Sequence, residues 1–116
     1  MSYVDGCVIP VPTAKKAAYL AWAAKAGPVF KDNGALRVVE CWGDDVPKGK
    51  VTDFWGAVKA EEGETVVFTW IEWPSKAVRD AGMKAVMDDP RMRPDGEMPF
   101  SGTRMIFGGF AMVHET

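Results

Sequence analysis

Three carboxylates interrupt apolar, strand-like runs, and they are the residues of this chain with the clearest reach into chemistry. Asp5 stands within residues 3–11, Glu40 within 35–42 and Glu72 within 65–73. A carboxylate held in an apolar cleft has a raised pKa and can serve as a general base near neutral pH. The competing reading is that each points outward at a strand edge or pairs with an arginine. Glu40, between Val39 and Cys41, ranks ahead of Asp5 and Glu72 as a catalytic candidate. His114 is the only imidazole and lies close to the C-terminus, where fraying and exposure are expected. It ranks below Glu40, and a histidine-ligated haem is disfavoured with it.

Aromatic residues offer a second kind of site. Trp42 and Trp70 are the pocket candidates. With Trp55 and Trp73 they form either a flat aromatic pocket or core and interface packing. Met83, Met87, Met105 and Met112 read as core fillers. The segment GDDVPKGK at 43–50 lacks the spacing of a phosphate loop, and Asp44 and Asp45 would repel phosphate. These two aspartates alone make a poor metal site, and a turn role explains them. The two cysteines, Cys7 and Cys41, form no C-x-x-C pair, and one histidine cannot complete a zinc set with them. No cofactor and no metal are indicated.

The elements that must position these residues follow from pattern. Residues 3–11 read as a strand interrupted by Gly6, with Thr13 as a helix cap after the prolines. Residues 14–33 turn helical, with Ala17, Leu20, Ala21 and Ala24 as an apolar face, a kink or break at Gly27-Pro28 and a cap at Asn33-Gly34. A second strand spans 35–42. Residues 53–60 look extended, either continuing the second strand or forming a separate one. The clearest strand is 65–73, entered through a hairpin turn at Gly63. Ser75 caps a second helix running to about residue 88, with Val78, Gly82, Ala85 and Val86 on its buried side. A loop over 91–102 leads to a last strand at 105–114.

The order strand–helix–strand–strand–helix–strand predicts an α+β fold of the ferredoxin-like βαββαβ type: one domain over 1–116, an antiparallel sheet with both helices on one face, and strand order four, one, three, two. That order puts the third strand between Cys7 and Cys41, so both thiols should be free. Residues 65–73 are apolar on both parities, and the helices can cover one face only. A second copy of the sheet is the simplest cover for the other, which predicts a homodimer.

Composition narrows the partners. The chain has 116 residues, a formal charge of −2 and 47% apolar residues. That charge, with its scattered lysines and arginines, argues against nucleic-acid binding, which needs a concentrated positive surface. No apolar run reaches the roughly 18 residues expected of a membrane span. The N-terminal residues lack the pattern of a signal peptide, so the expected location is the cytoplasm.

Placed on these elements, MSYVDGCVIPVP, GALRVVECWGDDVPKGKVT, ETVVFTWIEWPS, DDPRM and MPFSGTRMIFGGF resemble the YbaA-like family of domains of unknown function, over nearly the whole chain. The resemblance implies membership of the dimeric α+β barrel superfamily and a two-sheet dimer. It implies no particular activity. Barrels of this kind often host cofactor-independent oxidation or isomerisation of small aromatic or quinone-like molecules in a helix–sheet pocket. Others are non-catalytic ligand-binding or stress-associated proteins. Some relatives carry a label that connects them with signal-recognition-particle RNA; the negative charge here and the lack of a basic-aromatic motif argue against that partner.

Overall fold

The computed structural model describes residues 2–94 and 96–116. Strand β1 (Tyr3–Pro12) leads through a 3₁₀ turn (Thr13–Lys15) into helix α1 (Lys16–Asp32). Strand β2 (Arg37–Trp42), short helix α2 (Phe54–Ala57) and strand β3 (Glu64–Trp73) follow. Helix α3 (Lys76–Asp88), a 3₁₀ turn (Pro90–Met92) and strand β4 (Ile106–Ala111) complete the order. The four strands form one antiparallel sheet in the order β2-β3-β1-β4, the order read from the sequence. Among the described residues no helix is long and apolar enough to cross a membrane.

Register fixes which side chains share a face, because neighbours along a strand point to opposite sides. Cys7 stands opposite Thr69, and Thr69 opposite Glu40. Asp5 stands opposite Ile71, and Ile71 opposite Val38. This is the face that α1 and α3 cover. Gly6, Trp70 and Val39 align on the other face, flanked by Val8 with Phe68 and Val4 with Glu72.

The helices differ in detail from the pattern. α1 buries Tyr19, Ala26 and Val29 and half-buries Trp22, whereas Ala17, Leu20, Ala21 and Ala24 are exposed. An aromatic ring removes far more apolar area from water than a methyl group, so the helix turns its rings inward rather than its alanines. Thr13 does not cap the helix; its hydroxyl lies 2.6 Å from that of Thr65. Of the kink or break expected at Gly27-Pro28, no break occurs: α1 continues through Pro28 to Asp32 and closes with Asn33 as its cap and Gly34 at φ +107°, a left-handed turn that suits glycine. In α3, Ser75 Oγ accepts from Val78 N at 3.2 Å, as an N-cap should. Gly82 and Val86 are buried there, but Val78 and Ala85 are exposed. A Cβ on Gly82 would stand 2.5 Å from Trp73 Cζ3, so glycine lets α3 lie on that indole.

Residues 53–60 are not extended. Asp53 accepts from Gly56 N at 2.6 Å and Gly49 N at 2.9 Å, and this cap starts α2. Lys59, at φ +48°, ends the turn. Trp55 and Ala60 then pack on Val8, Val58 and Val66, covering one end of the sheet face that the long helices leave bare.

Candidate functional site

The three strand carboxylates meet three different fates. Asp5 is 6% exposed and fully engaged. Arg79 of α3 grips it with Nη2 on Oδ1 at 2.7 Å and Nε on Oδ2 at 3.0 Å, and Trp73 Nε1 donates to Oδ2 at 2.9 Å. This contact with Asp5 raises the Arg79 pKa further still. Glu72 lies on the opposite sheet face, bonded to Arg37 and accepting from Trp70 Nε1 at 3.0 Å. The Arg37 guanidinium, helped by the indole, holds the Glu72 carboxyl below its usual range. The pairing alternative thus describes both, and neither is poised as a base.

Glu40 differs. One carboxylate oxygen meets the hydroxyl of Tyr19 on α1 and the other meets the hydroxyl of Thr69 on β3. Thr69 Oγ1 also lies 2.9 Å from Val39 O. Among the described residues no basic side chain pairs with Glu40. The Cys7 thiol occupies the neighbouring register position beyond Thr69. Burial pushes that thiol up to about 11, with the Asp5 and Glu40 carboxylates adding to the shift. Burial likewise raises the Tyr19 phenol, and its bond to Glu40 raises it further, so it remains a proton donor.

Rings surround this polar group. Tyr19 lies 6.1 Å from Trp22, 6.4 Å from Trp42 and 5.8 Å from Phe100, centroid to centroid. Lys16 Nζ stands 5.1 Å over the Trp42 ring. A carboxylate set among rings, bonded to hydroxyls alone, can accept a proton from a guest without first breaking an ion pair.

The pocket candidates do not meet. Trp42 belongs to this helix-side cluster, whereas Trp70 lies on the open face. A concavity of about 710 Å³ is on that open face, and a second of about 570 Å³ lies on the helix side, between α1 and Val38 of β2. The first is lined by Val4, Val8, Phe68, Trp70, Ile106 and Phe110, with Arg37 and Glu72 at its rim. Trp55, on α2, packs on Val8, Val58 and Val66, and Trp73 is wholly buried, so among the described residues these tryptophans do not line one pocket. Met83 and Met105 are half-buried fillers, whereas Met87 is 76% exposed. His114 is exposed and bonds Thr116 at 2.8 Å. Cys7 and Cys41 are both free and face opposite sides of the sheet, with β3 between their strands. Among the described residues no three metal-ligating side chains converge.

Tyr19 and Thr69 were not singled out from the sequence. The signal was faint but present: Thr69 is the polar residue in the middle of TVVFTWIEW, and Tyr19 is the lone tyrosine in an alanine-rich helix.

The sequence pattern of a family described as proteins of unknown function, DUF1428, matches residues 2–102. This chain belongs to the DUF1428 family. The DUF1428 chain is 64% identical over 114 residues to the uncharacterized protein YbaA of Escherichia coli K12, covering 97% of each chain. The same identity and coverage hold for YbaA of Shigella flexneri. Among solved structures, that of Rv0793 from Mycobacterium tuberculosis aligns over 99% of this chain and 98% of its own, with a TM-score of 0.49 and 12% identity.

Proposed function

We propose that this protein works as a homodimer of ferredoxin-like βαββαβ subunits, a dimeric α+β barrel, in which Glu40 takes a proton from a small apolar or aromatic molecule on the helix side of the sheet. The observation that carries this reading is the bonding of Glu40. Of the three strand carboxylates it alone is held by neutral hydroxyls, those of Tyr19 and Thr69, inside a ring-lined cluster. In the reaction a C–H bond of the guest breaks, its electron pair passes into the conjugated system, and the proton goes to a Glu40 oxygen. Return of that proton at another carbon is an isomerisation, and it requires no oxidant. Tyr19, still protonated, can hydrogen-bond the oxygen on which the charge collects.

The dimer rests on the open face. Phe68, Ile106 and Phe110 are 44%, 44% and 62% exposed on one apolar surface. A bare apolar face of this kind invites a partner, and two such faces packed at about 10 Å would close on each other. Sedimentation should give about twice 12.7 kDa; a monomer at micromolar concentration contradicts this half.

The chemical half is tested by incubating the protein in D₂O with a panel of small phenolic and quinone-like molecules. Carbon-bound proton exchange is followed by NMR. Wild type should accelerate exchange in at least one class, Glu40→Gln should lose at least tenfold, and His114→Ala should match wild type. Equal rates in wild type and Glu40→Gln overturn the assignment.

A second reading, non-catalytic ligand binding or a purely structural core, is favoured by one observation. Tyr19 is 1% exposed, and Trp22, Trp42 and Phe100 pack around it. That reading expects no exchange with any member of the panel.

A further inference from the structure

One ring of the helix-side cluster comes from neither a helix nor a strand. Phe100 lies between the 3₁₀ turn Pro90–Met92 and β4. Its ring stands edge-on to Trp22 at 5.2 Å and 71°, and to Tyr19 at 5.8 Å and 73°. Edge-to-face contacts of this kind stabilise a ring beyond the area they bury, so the seat is a good one for any flat ring.

The segment that delivers Phe100 is fastened at its ends. Behind it, Arg104 bonds both Glu64 oxygens at 2.7 Å and the Lys59 carbonyl at 3.0 Å. Ahead of it, Lys25 Nζ donates to the Arg93 carbonyl at 3.2 Å. Between those anchors, among the described residues, Glu97 makes a loose ionic contact with Lys15 at 3.9 Å and is 87% exposed. A Cβ on Gly96 or on Gly102 would meet nothing within 4 Å, so no packing demand explains glycine at either position. Among the described residues, Phe100 packs the 96–103 segment onto α1, with Pro99 buried beside it.

We propose that Phe100 occupies the seat of the ligand's own ring: residues 96–103 lift, and a planar aromatic molecule bearing a hydroxyl replaces Phe100 against Trp22 and Tyr19, its hydroxyl turned toward Glu40 and Thr69. This rests on the reading of Glu40 given above and names the ligand class for that site. The ring is specified by the edge-to-face seat. The hydroxyl is specified by the inner end of the cluster, where a carboxylate accepts and two hydroxyls both donate and accept. The close packing around Tyr19 then reflects a self-occupied site. Binding is weakened by the fraction of molecules in which the segment has lifted, and removing the Phe100 ring removes that competition.

The experiment uses the full chain and 2-naphthol. Hydrogen exchange is measured with and without saturating probe, and affinity is measured for wild type and Phe100→Ala. The expected result is that wild type binds, that amides within 98–103 exchange at least tenfold faster with probe while those near Tyr19 and Trp22 do not, and that Phe100→Ala binds at least tenfold tighter. Binding by Phe100→Ala alone overturns the proposal, because truncation by itself opens an apolar cavity that takes a ring. So does wild-type binding with no change at 98–103, which places the probe elsewhere. If Phe100→Ala does not fold, Phe100→Leu should bind more tightly than wild type, and equal affinity overturns the proposal. The two readings fail separately. Displacement of Phe100 without Glu40-dependent proton exchange keeps the seat and removes the base; Glu40-dependent exchange without movement at 98–103 keeps the base and removes the seat.

Discussion

Asp5 and Glu40 lie on the same face of one sheet, in adjacent rows of the register; Asp5 is buried and Glu40 half-buried. What separates them is the partner each helix supplies. α3 reaches Asp5 with a guanidinium, and β3 adds an indole N–H, so every donor carries a proton it does not give up. α1 reaches Glu40 with a phenol, and β3 adds an alcohol; both can donate or accept. The first arrangement fixes a charge and locks α3 to the sheet. The second holds a carboxylate without committing it. Sheet face and residue type therefore do not distinguish a staple from a candidate base, whereas the chemistry of the donors does.

The largest expected effect attacks the staple. Asp5→Asn puts an amide N–H₂ among donors from Arg79 and Trp73 and leaves the guanidinium without its countercharge. Breaking a buried pair from one side costs about 3 kcal/mol. Urea unfolding should show a loss of that order, and a loss below about 1 kcal/mol would mean that Arg79 finds water or Asp80 instead. Asp80 is already 3.0 Å from Arg79 Nη1, so this alternative is a real competitor.

Cys7 sits between the two carboxylates and reports on both. Its thiol is pushed up to about 11, first by burial, then by Asp5, then by Glu40. At pH 8 only about one molecule in a thousand then carries the thiolate. Iodoacetamide at that pH should label exposed Cys41 at least tenfold faster than Cys7, and the Cys7 rate should climb about tenfold per pH unit between pH 8 and 10. Equal labelling of the two thiols at pH 8 would show that the helix side is open to water. The same shift has a consequence for stability. The folded thiol keeps its proton above the 9.0 of the unfolded chain, so its contribution is present below pH 9 and is lost as pH rises toward 11.

Much of the frame was legible because backbone pattern speaks in periods. The four strands, the Ser75 cap and the Asn33-Gly34 helix end all follow from local residue types. The apolarity of β3 on both parities correctly marked a face that the long helices leave bare. Two readings failed for physical reasons that period alone does not carry. Alanine spacing in α1 suggested the wrong buried face, because four methyl groups weigh less than Tyr19 and Trp22. Residues 53–60 looked extended because Phe54, Trp55 and Val58 have strand-like character, yet one aspartate with two backbone donors was enough to start a helix. At the site, Glu40 was nameable from its strand. Its hydroxyl partners were not, since Tyr19 and Thr69 meet it only after α1 has settled on the sheet.

The smallest effect sharpens the comparison most. Glu40→Gln is the same chemical change as Asp5→Asn, carboxylate to amide on the same sheet face. Here the donors can adapt. The new carbonyl oxygen accepts from one hydroxyl, and the new N–H₂ donates to the other, whose own proton turns elsewhere; Thr69 already has the Val39 carbonyl 2.9 Å away as that destination. No cation is stranded and no donor is forced against a donor. An exchange that leaves every buried polar atom satisfied costs well under the price of an orphaned one, about 1 kcal/mol or less. Urea unfolding of Glu40→Gln should therefore lie within about 1 kcal/mol of wild type, against about 3 kcal/mol for Asp5→Asn. A loss as large as that of Asp5→Asn would mean that Glu40 is a second staple, held by its hydroxyls as firmly as Asp5 is by its arginine. The stated difference between the two carboxylates, and the base role built on it, would then be gone.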